Sequence, residues 1–242
     1  EEDHLDYYKN LDNIKAAFRE LAERVPAEGY IVTDLSNPNV LDVIKGLKCN
    51  IIDYSQADID GMSLVKMPGE HNRSNARVAI GVLSALGADP ATVRNSLSDF
   101  SGVWRRFEYI GRMKTGALVY DDYAHHPTEI KAFLRGARGA FAGKKIIAIF
   151  QPHLFSRTKD FLDDFSHSFE NADEVIILPI YKAREIDNGE VSSGMLVDKI
   201  RNTGKHVDLM TNFTDVIEYL NSKSHENTII ATIGAGETNI LA

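Results

Sequence analysis

Asp121-Asp122-Tyr123-Ala124-His125-His126-Pro127 gathers two carboxylates, a phenol and two imidazoles, and Gln151-Pro152-His153-Leu154-Phe155-Ser156-Arg157 adds a third imidazole and a guanidinium. Tyr181, Lys182 and Arg184 follow a third apolar run, and Gly234-Ala235-Gly236-Glu237 a fourth. Such a set suits anion binding, because the fixed fork of a guanidinium matches carboxylate or phosphate and an imidazole supplies a further donor. Three more clusters carry polar chemistry: Asp3-His4 with Asp6, His71-Asn72, and Arg105-Arg106 before Phe107. Each also has a plainer use. Asp121 and Asp122 suit turn amides, Asn72 suits a helix start, Arg105-Arg106 suits a solvated linker and Asp3-His4 a solvated acidic start. Adjacent histidines point apart, and no Cys or acidic partner at metal spacing accompanies His125-His126, so zinc is not expected there.

The elements that must position these residues follow from periodicity. Leu11, Ile14, Ala17, Phe18, Leu21 and Val25 recur at helical spacing, and Pro26 with Gly29 ends the run. Strands are expected over 30–35 and 49–54, and helices over 40–47 and 72–86. Asp89 before Pro90 starts another helix, to Leu97. The stretch 56–67 is too short and polar to assign. From Glu108 onward strands (117–120, 146–150, 175–178, 206–210, 228–233) alternate with helices (127–141, 158–169, 195–200, 215–220). Short, bounded, β-branched apolar runs read as buried parallel strands, and their alternation with helices implies a doubly wound α/β sheet. In such a sheet ligands bind beyond the carboxyl ends of the strands. That rule places three of the eight histidines, two arginines and both aspartates on one edge. A domain boundary is expected between Arg106 and Arg112, with units 1–107 and 108–242.

Composition narrows the class. A chain of 242 residues, 43% hydrophobic and 26% charged, has globular proportions and length for one large or two modest domains. A net charge of -8 argues against nucleic acid as a partner. No run approaches the roughly 20 apolar residues that span a bilayer, and the acidic start does not resemble a signal peptide. A soluble, cytoplasmic protein with small-molecule partners and no membrane contact is expected. The single cysteine, Cys49, excludes an internal disulfide.

In this order, EEDHLD, EHNRSNA, WRRFE, YDDYAHHPTEI, QPHLFSRT, YKAREIDNGEVSS and TIGAGE resemble the Mur ligase family of cell-wall precursor synthesis, and most of all its alanine-adding branch. YDDYAHHPTEI and QPHLFSRT are the specific segments. The resemblance implies that 1–107 is the latter half of a central ATP-binding domain and 108–242 a C-terminal Rossmann-like domain with a doubly wound, mostly parallel sheet. No glycine-rich P-loop ending in Gly-Lys-Thr or Gly-Lys-Ser occurs, nor the acidic magnesium ligand that would precede EEDHLD. The chain is therefore expected to lack an N-terminal part of the same ligase and to be inactive alone.

The implied reaction takes ATP, Mg2+, UDP-N-acetylmuramate and L-alanine. The muramoyl carboxylate becomes an acyl phosphate, which the amine of alanine then attacks. By carry-over, His4 is a magnesium ligand oriented by Asp6, and Arg106 reaches the ATP phosphates and is catalytic with His125. His71, Asn72 and Asn75 line the adenosine pocket, and Asp122 contacts the nucleotide. Tyr123, His125, His153 and Arg157 hold substrate. At Leu154 many members carry arginine, Glu237 stands where aspartate is usual, and the stretch between Tyr54 and Pro68 is shorter than the family's. Two other readings are a murein tripeptide ligase of cell-wall recycling and a binding module without catalysis.

Overall fold

Three helices begin where a side-chain acceptor stands immediately before a proline. In the computed structural model, which describes residues 1–57 and 66–242, Asn37, Asp89 and His126 accept the backbone N–H groups of Asn39, Thr92 and Thr128, and the helices open at Pro38, Pro90 and Pro127. Proline there forfeits only an N–H that has no intrahelical partner. The chain divides into two units, 1–101 and 102–242.

The first unit contains α1 (Leu5–Tyr8), α2 (Leu11–Glu23), β1 (Tyr30–Thr33), α3 (Pro38–Ile44), β2 (Asn50–Asp53), α4 (Glu70–Ala85) and α5 (Pro90–Asp99). β1 and β2 run parallel, Tyr30 beside Asn50. Gly81 lets α4 lie close on this sheet, since a Cβ there would stand 3.0 Å from Cγ1 of Val32. The expected elements appear within a few residues of their expected limits; α1 was not expected. Most of the unassigned stretch 56–67, including residues 58–65 of the shortened segment, lies outside the described residues.

The second unit contains β3 (Glu108–Arg112), β4 (Leu118–Asp122), α6 (Pro127–Ala140), β5 (Lys145–Phe150), α7 (Phe155–Asp160), α8 (Leu162–Ser166), β6 (Glu174–Ile177), α9 (Ser193–Asn202), β7 (Val207–Leu209), α10 (Phe213–Lys223) and β8 (Thr228–Ile233). The sheet order is β3-β4-β8-β5-β6-β7, with β3 antiparallel to β4 and the remaining pairs parallel. The mostly parallel α/β sheet expected from the sequence is present. Strands β5 and β8 occupy the middle, and all residues from Ile146 to Phe150 and from Thr228 to Ile233 are buried. Ile147, Ile149, Ile176 and Ile230 cluster with Val216 and Leu220 of α10 on one face. On the other, Phe150 meets Phe165 and Phe169. Two covered faces explain why these strands read as mostly apolar runs.

Three expectations are corrected. The helix expected over 158–169 is two, α7 and α8, broken at Phe161 (φ -111°, ψ 24°), whose ring sits edge-on to His126 at 4.9 Å. The antiparallel edge strand β3 was not anticipated, because Tyr109 and Ile110 face solvent and the pairing with β4 slips between Tyr109 and Gly111. The units also divide upstream of 107/108. Arg105 and Phe107 bind the two aspartates of β4, so the second unit begins at Gly102.

Candidate functional site on the carboxyl edge of the second sheet

Because β4, β8, β5 and β6 are parallel, the polar segments that follow them leave one edge of the sheet. Backbone bonds from Gly234 N–H to Asp122 O (3.0 Å) and from Gln151 N–H to Ile233 O (3.1 Å) continue the ladder past the strand ends. The Gln151 side chain ties three of these segments. Its Oε1 accepts from the Glu237 N–H at 2.7 Å and its Nε2 donates to Pro179 O at 3.4 Å. The glycine turn permits this approach, since a Cβ on Gly234 would stand 2.8 Å from Gln151 O and one on Gly236 would collide with Gln151 Oε1. The glycines therefore serve close packing.

Arg105 and Arg106 part completely. Arg105 is 4% exposed; its Nε donates to Asp121 Oδ2 at 2.7 Å, and its terminal nitrogens donate to the Gly234 and Gly236 carbonyls and to Thr238 Oγ1. Asp121 also accepts from Thr232 Oγ1 at 2.6 Å. Asp122 accepts the Phe107 and Ala124 amides at 2.9 Å, which holds the segment before β3 and the start of the next loop to the end of β4. Burial pushes its carboxyl up to about 6 despite these two bonds. Arg106 stays half exposed, 3.6 Å from Glu129 Oε1, with its guanidinium 5.8 Å from the Tyr123 ring centre.

Glu129 organises the histidine pair. Its carboxylate accepts the His125 and His126 amides at 2.9 and 3.2 Å and completes a capping box with His126, whose ring caps α6. His125 Nδ1 lies 3.0 Å from Tyr123 O and 3.5 Å from Glu129 Oε2, and its ring packs edge-on to Tyr123. From the next loop, His153 stacks on Tyr181 (5.7 Å, 20°) and lies 6.2 Å from His125. The Arg157 guanidinium donates to His153 Nδ1 at 3.3 Å. Burial first, then the charge of Arg157, holds His153 down at about 4. Leu154 and Arg157 are buried, and Ser156 Oγ donates to Glu185, fastening the 181–185 loop to α7.

Tyr123, His125, His153 and Arg157 thus share the edge with Arg106 nearby. His4 is exposed in a left-handed conformation, Nε2 3.7 Å from Asp3 Oδ2. Asn72, expected in an adenosine pocket, is buried and donates to Pro68 O at 2.7 Å, which shapes the entry to α4; Asn75 is exposed. Among the described residues no group of three His, Cys, Asp or Glu side chains could hold a metal, and no helix is long and apolar enough to cross a membrane. Sequence reasoning placed Arg105, Gln151 and Tyr181 in polar clusters without giving them these roles, and did not single out Glu129. Glu129 had a signal, since it stands three residues after His126, the spacing of a capping box; the ties of the other three are long-range.

Family comparison agrees over both units. The Mur ligase glutamate ligase domain matches residues 105–236 and the Mur ligase middle domain residues 1–63. A UDP-N-acetylmuramate–L-alanine ligase of Caldanaerobacter subterraneus is 42% identical over 97% of this chain and 56% of its own length. One from Acetivibrio thermocellus is 38% identical over 98% and 56%. Among solved structures, the UDP-N-acetylmuramate-alanine ligase of Thermotoga maritima superposes with a TM-score of 0.72 at 25% identity, over 99% of this chain and 55% of that one. A murein peptide ligase of Psychrobacter arcticus gives 0.65 at 25% identity, over 96% and 53%. This chain spans about half the length of the relatives it matches.

Proposed function

The chain belongs to the Mur ligase family, and from that premise we propose that it forms part of an ATP-dependent ligase joining L-alanine to UDP-N-acetylmuramate in peptidoglycan precursor synthesis. One observation carries the reading: the edge cluster of His125, His153 and Arg157 occurs in a chain 42% identical to a curated alanine ligase. Curated relatives at 36–42% identity bear that name, which favours alanine over a tripeptide as the incoming group. On this reading residues 1–107 contribute to a central ATP-binding domain and 108–242 bind the amino acid.

The muramoyl carboxylate is first phosphorylated by ATP; the alanine amine then attacks the acyl carbon and phosphate departs. Catalysis of this kind is positioning plus neutralisation of spread negative charge. Arg106, half exposed and only loosely paired, is the guanidinium available to phosphate oxygens. Arg157 and His153 hold the carboxylate of alanine, with Tyr123 and His125 beside it. His71 and Asn75, one helical turn apart on α4, face the adenosine. Magnesium, a hard cation, wants oxygen ligands, so exposed His4 fits it only as one ligand among phosphate oxygens and water.

The test is kinetic, in a ligase carrying this sequence. A charge-assisted contact is worth roughly 1.5–3 kcal/mol, so Arg157→Ala should raise KM for L-alanine by about one to two decades and change KM for ATP far less. Arg157→Lys should recover part of the loss, because a point charge lacks the fork. A rise in KM for ATP with that for alanine unchanged would move Arg157 to the nucleotide and refute the amino-acid seat.

A further inference from the structure

Two imidazoles face each other across the carboxyl edge, and their Nδ1 atoms have partners of opposite kind. His125 Nδ1 lies 3.0 Å from the Tyr123 carbonyl oxygen and 3.5 Å from Glu129 Oε2. Both are acceptors, so this nitrogen carries the proton, and neutral His125 keeps its lone pair at Nε2. His153 Nδ1 lies 3.3 Å from a terminal nitrogen of Arg157. A guanidinium has donors only, so here Nδ1 is the acceptor and the proton of the neutral ring sits on Nε2. Tyr181, stacked on His153 at 5.7 Å, fixes the plane of the ring.

We propose that His125 and His153 are held in opposite tautomers, presenting one lone pair and one N–H, both at Nε2, to a single ligand on this edge. The ring centres are 6.2 Å apart, a span that one small zwitterion can bridge. Arg157 is then a positioning residue for His153 as well as a binding group. The groups facing His153 are Arg157 on α7, His125 from the β4–α6 loop, and Arg184 and Glu185 from the loop after β6; burial and the nearby cations hold the ring neutral down to about 4.

Resting on the proposed function, the tautomers divide the labour of amide formation. Alanine enters as an ammonium, which must lose a proton before its nitrogen can attack. His125 Nε2 accepts that proton: an N–H bond of the ammonium breaks, an Nε2–H bond forms, and the freed pair attacks the acyl carbon as phosphate leaves. His153, whose Nε2 already bears hydrogen, is no base here and donates to a ligand oxygen.

Nitrogen-15 spectra of the imidazoles in the histidine-labelled chain, at about pH 7, test the inference without any substrate. His125→Gln and His153→Gln identify the signals. The expected result is a protonated Nδ1 and bare Nε2 for His125, and the reverse for His153. The same tautomer in both rings, or a mixture in His153, would overturn the proposal. Arg157→Met, which keeps the stem and removes the donors, should let the His153 proton spread over both nitrogens and leave His125 unchanged; an unchanged His153 would refute Arg157 as the cause. The wild-type spectrum decides the tautomers even if that variant misfolds. Titration with L-alanine in a ligase carrying this sequence separates the two readings: opposite tautomers that no alanine perturbs would support this pairing and refute the amino-acid seat.

Discussion

Arg105 and Arg106 are neighbours with the same side chain, yet one fork is spent inside the protein and the other stays half exposed. Arg105 joins β4 and the glycine turn through Asp121, Gly234, Gly236 and Thr238. Removing it strands the carboxylate of Asp121, which is wholly buried. Loss of one partner from a buried pair costs about 3–5 kcal/mol, so Arg105→Met should lower the unfolding free energy of the second unit by that order in urea denaturation. Arg106→Met should stay within about 0.5 kcal/mol, as exposed substitutions do. Equal losses would contradict the division. Nothing local distinguishes the two arginines in the sequence, since both stand in WRRFE. Their difference is made by Asp121 on β4 and by Gly234, Gly236 and Thr238, more than a hundred positions away, whereas the candidates His125, His153 and Arg157 were legible because each lies in a segment that follows a recognisable strand.

At the scale of elements, legibility tracked burial. β5 and β8, covered on both faces, are apolar beyond their first residues except at Thr232, a pattern that a buried strand explains. β3 was invisible because an edge strand with exposed Tyr109 and Ile110 has neither a buried run nor a clean alternation. The break at Phe161 was hidden because its residues keep helical spacing on both sides. The glycine turn after β8 was a weak signal in sequence, and its use is now a testable difference. Gly234 has φ 141° and would set a Cβ against the backbone of Gln151, while Gly236 would meet mainly the end of its side chain. Gly234→Ala should therefore cost more, roughly 1–3 kcal/mol from backbone conformation alone. Gln151→Ala should largely relieve the Gly236→Ala clash and leave that of Gly234→Ala. Thermal melts of the two double variants read this directly, and equal rescue would refute it.

At the scale of the whole molecule, two buried groups pull the pH dependence of stability in opposite directions. Asp122 is raised to about 6, so between the usual carboxylate range and 6 the folded chain binds the extra proton. Stability from that source falls as pH rises through this window, by about 3 kcal/mol. His153 is lowered to about 4, so from there to the usual imidazole value the unfolded chain binds the extra proton and stability rises with pH. Carboxylates depressed by hydrogen bonds and ion pairs, such as Asp163 and Asp173, act below this window. The urea midpoint of the second unit should therefore vary little between about pH 4.5 and 6. His153→Gln should expose a decline with rising pH, and a level profile in that variant would refute the burial argument for Asp122. The strand order has a consequence for how this unit is made. β8 is the last strand of the sheet in chain order, yet it lies between β4 and β5. A ribosome has therefore delivered β4 and β5 well before the strand that joins them exists, and their facing edges must stay apart or be sheltered until residue 233 has emerged. Closure of the sheet by its latest-made strand makes folding of this unit wait on long-range pairings, a regime in which open strand edges recruit other chains.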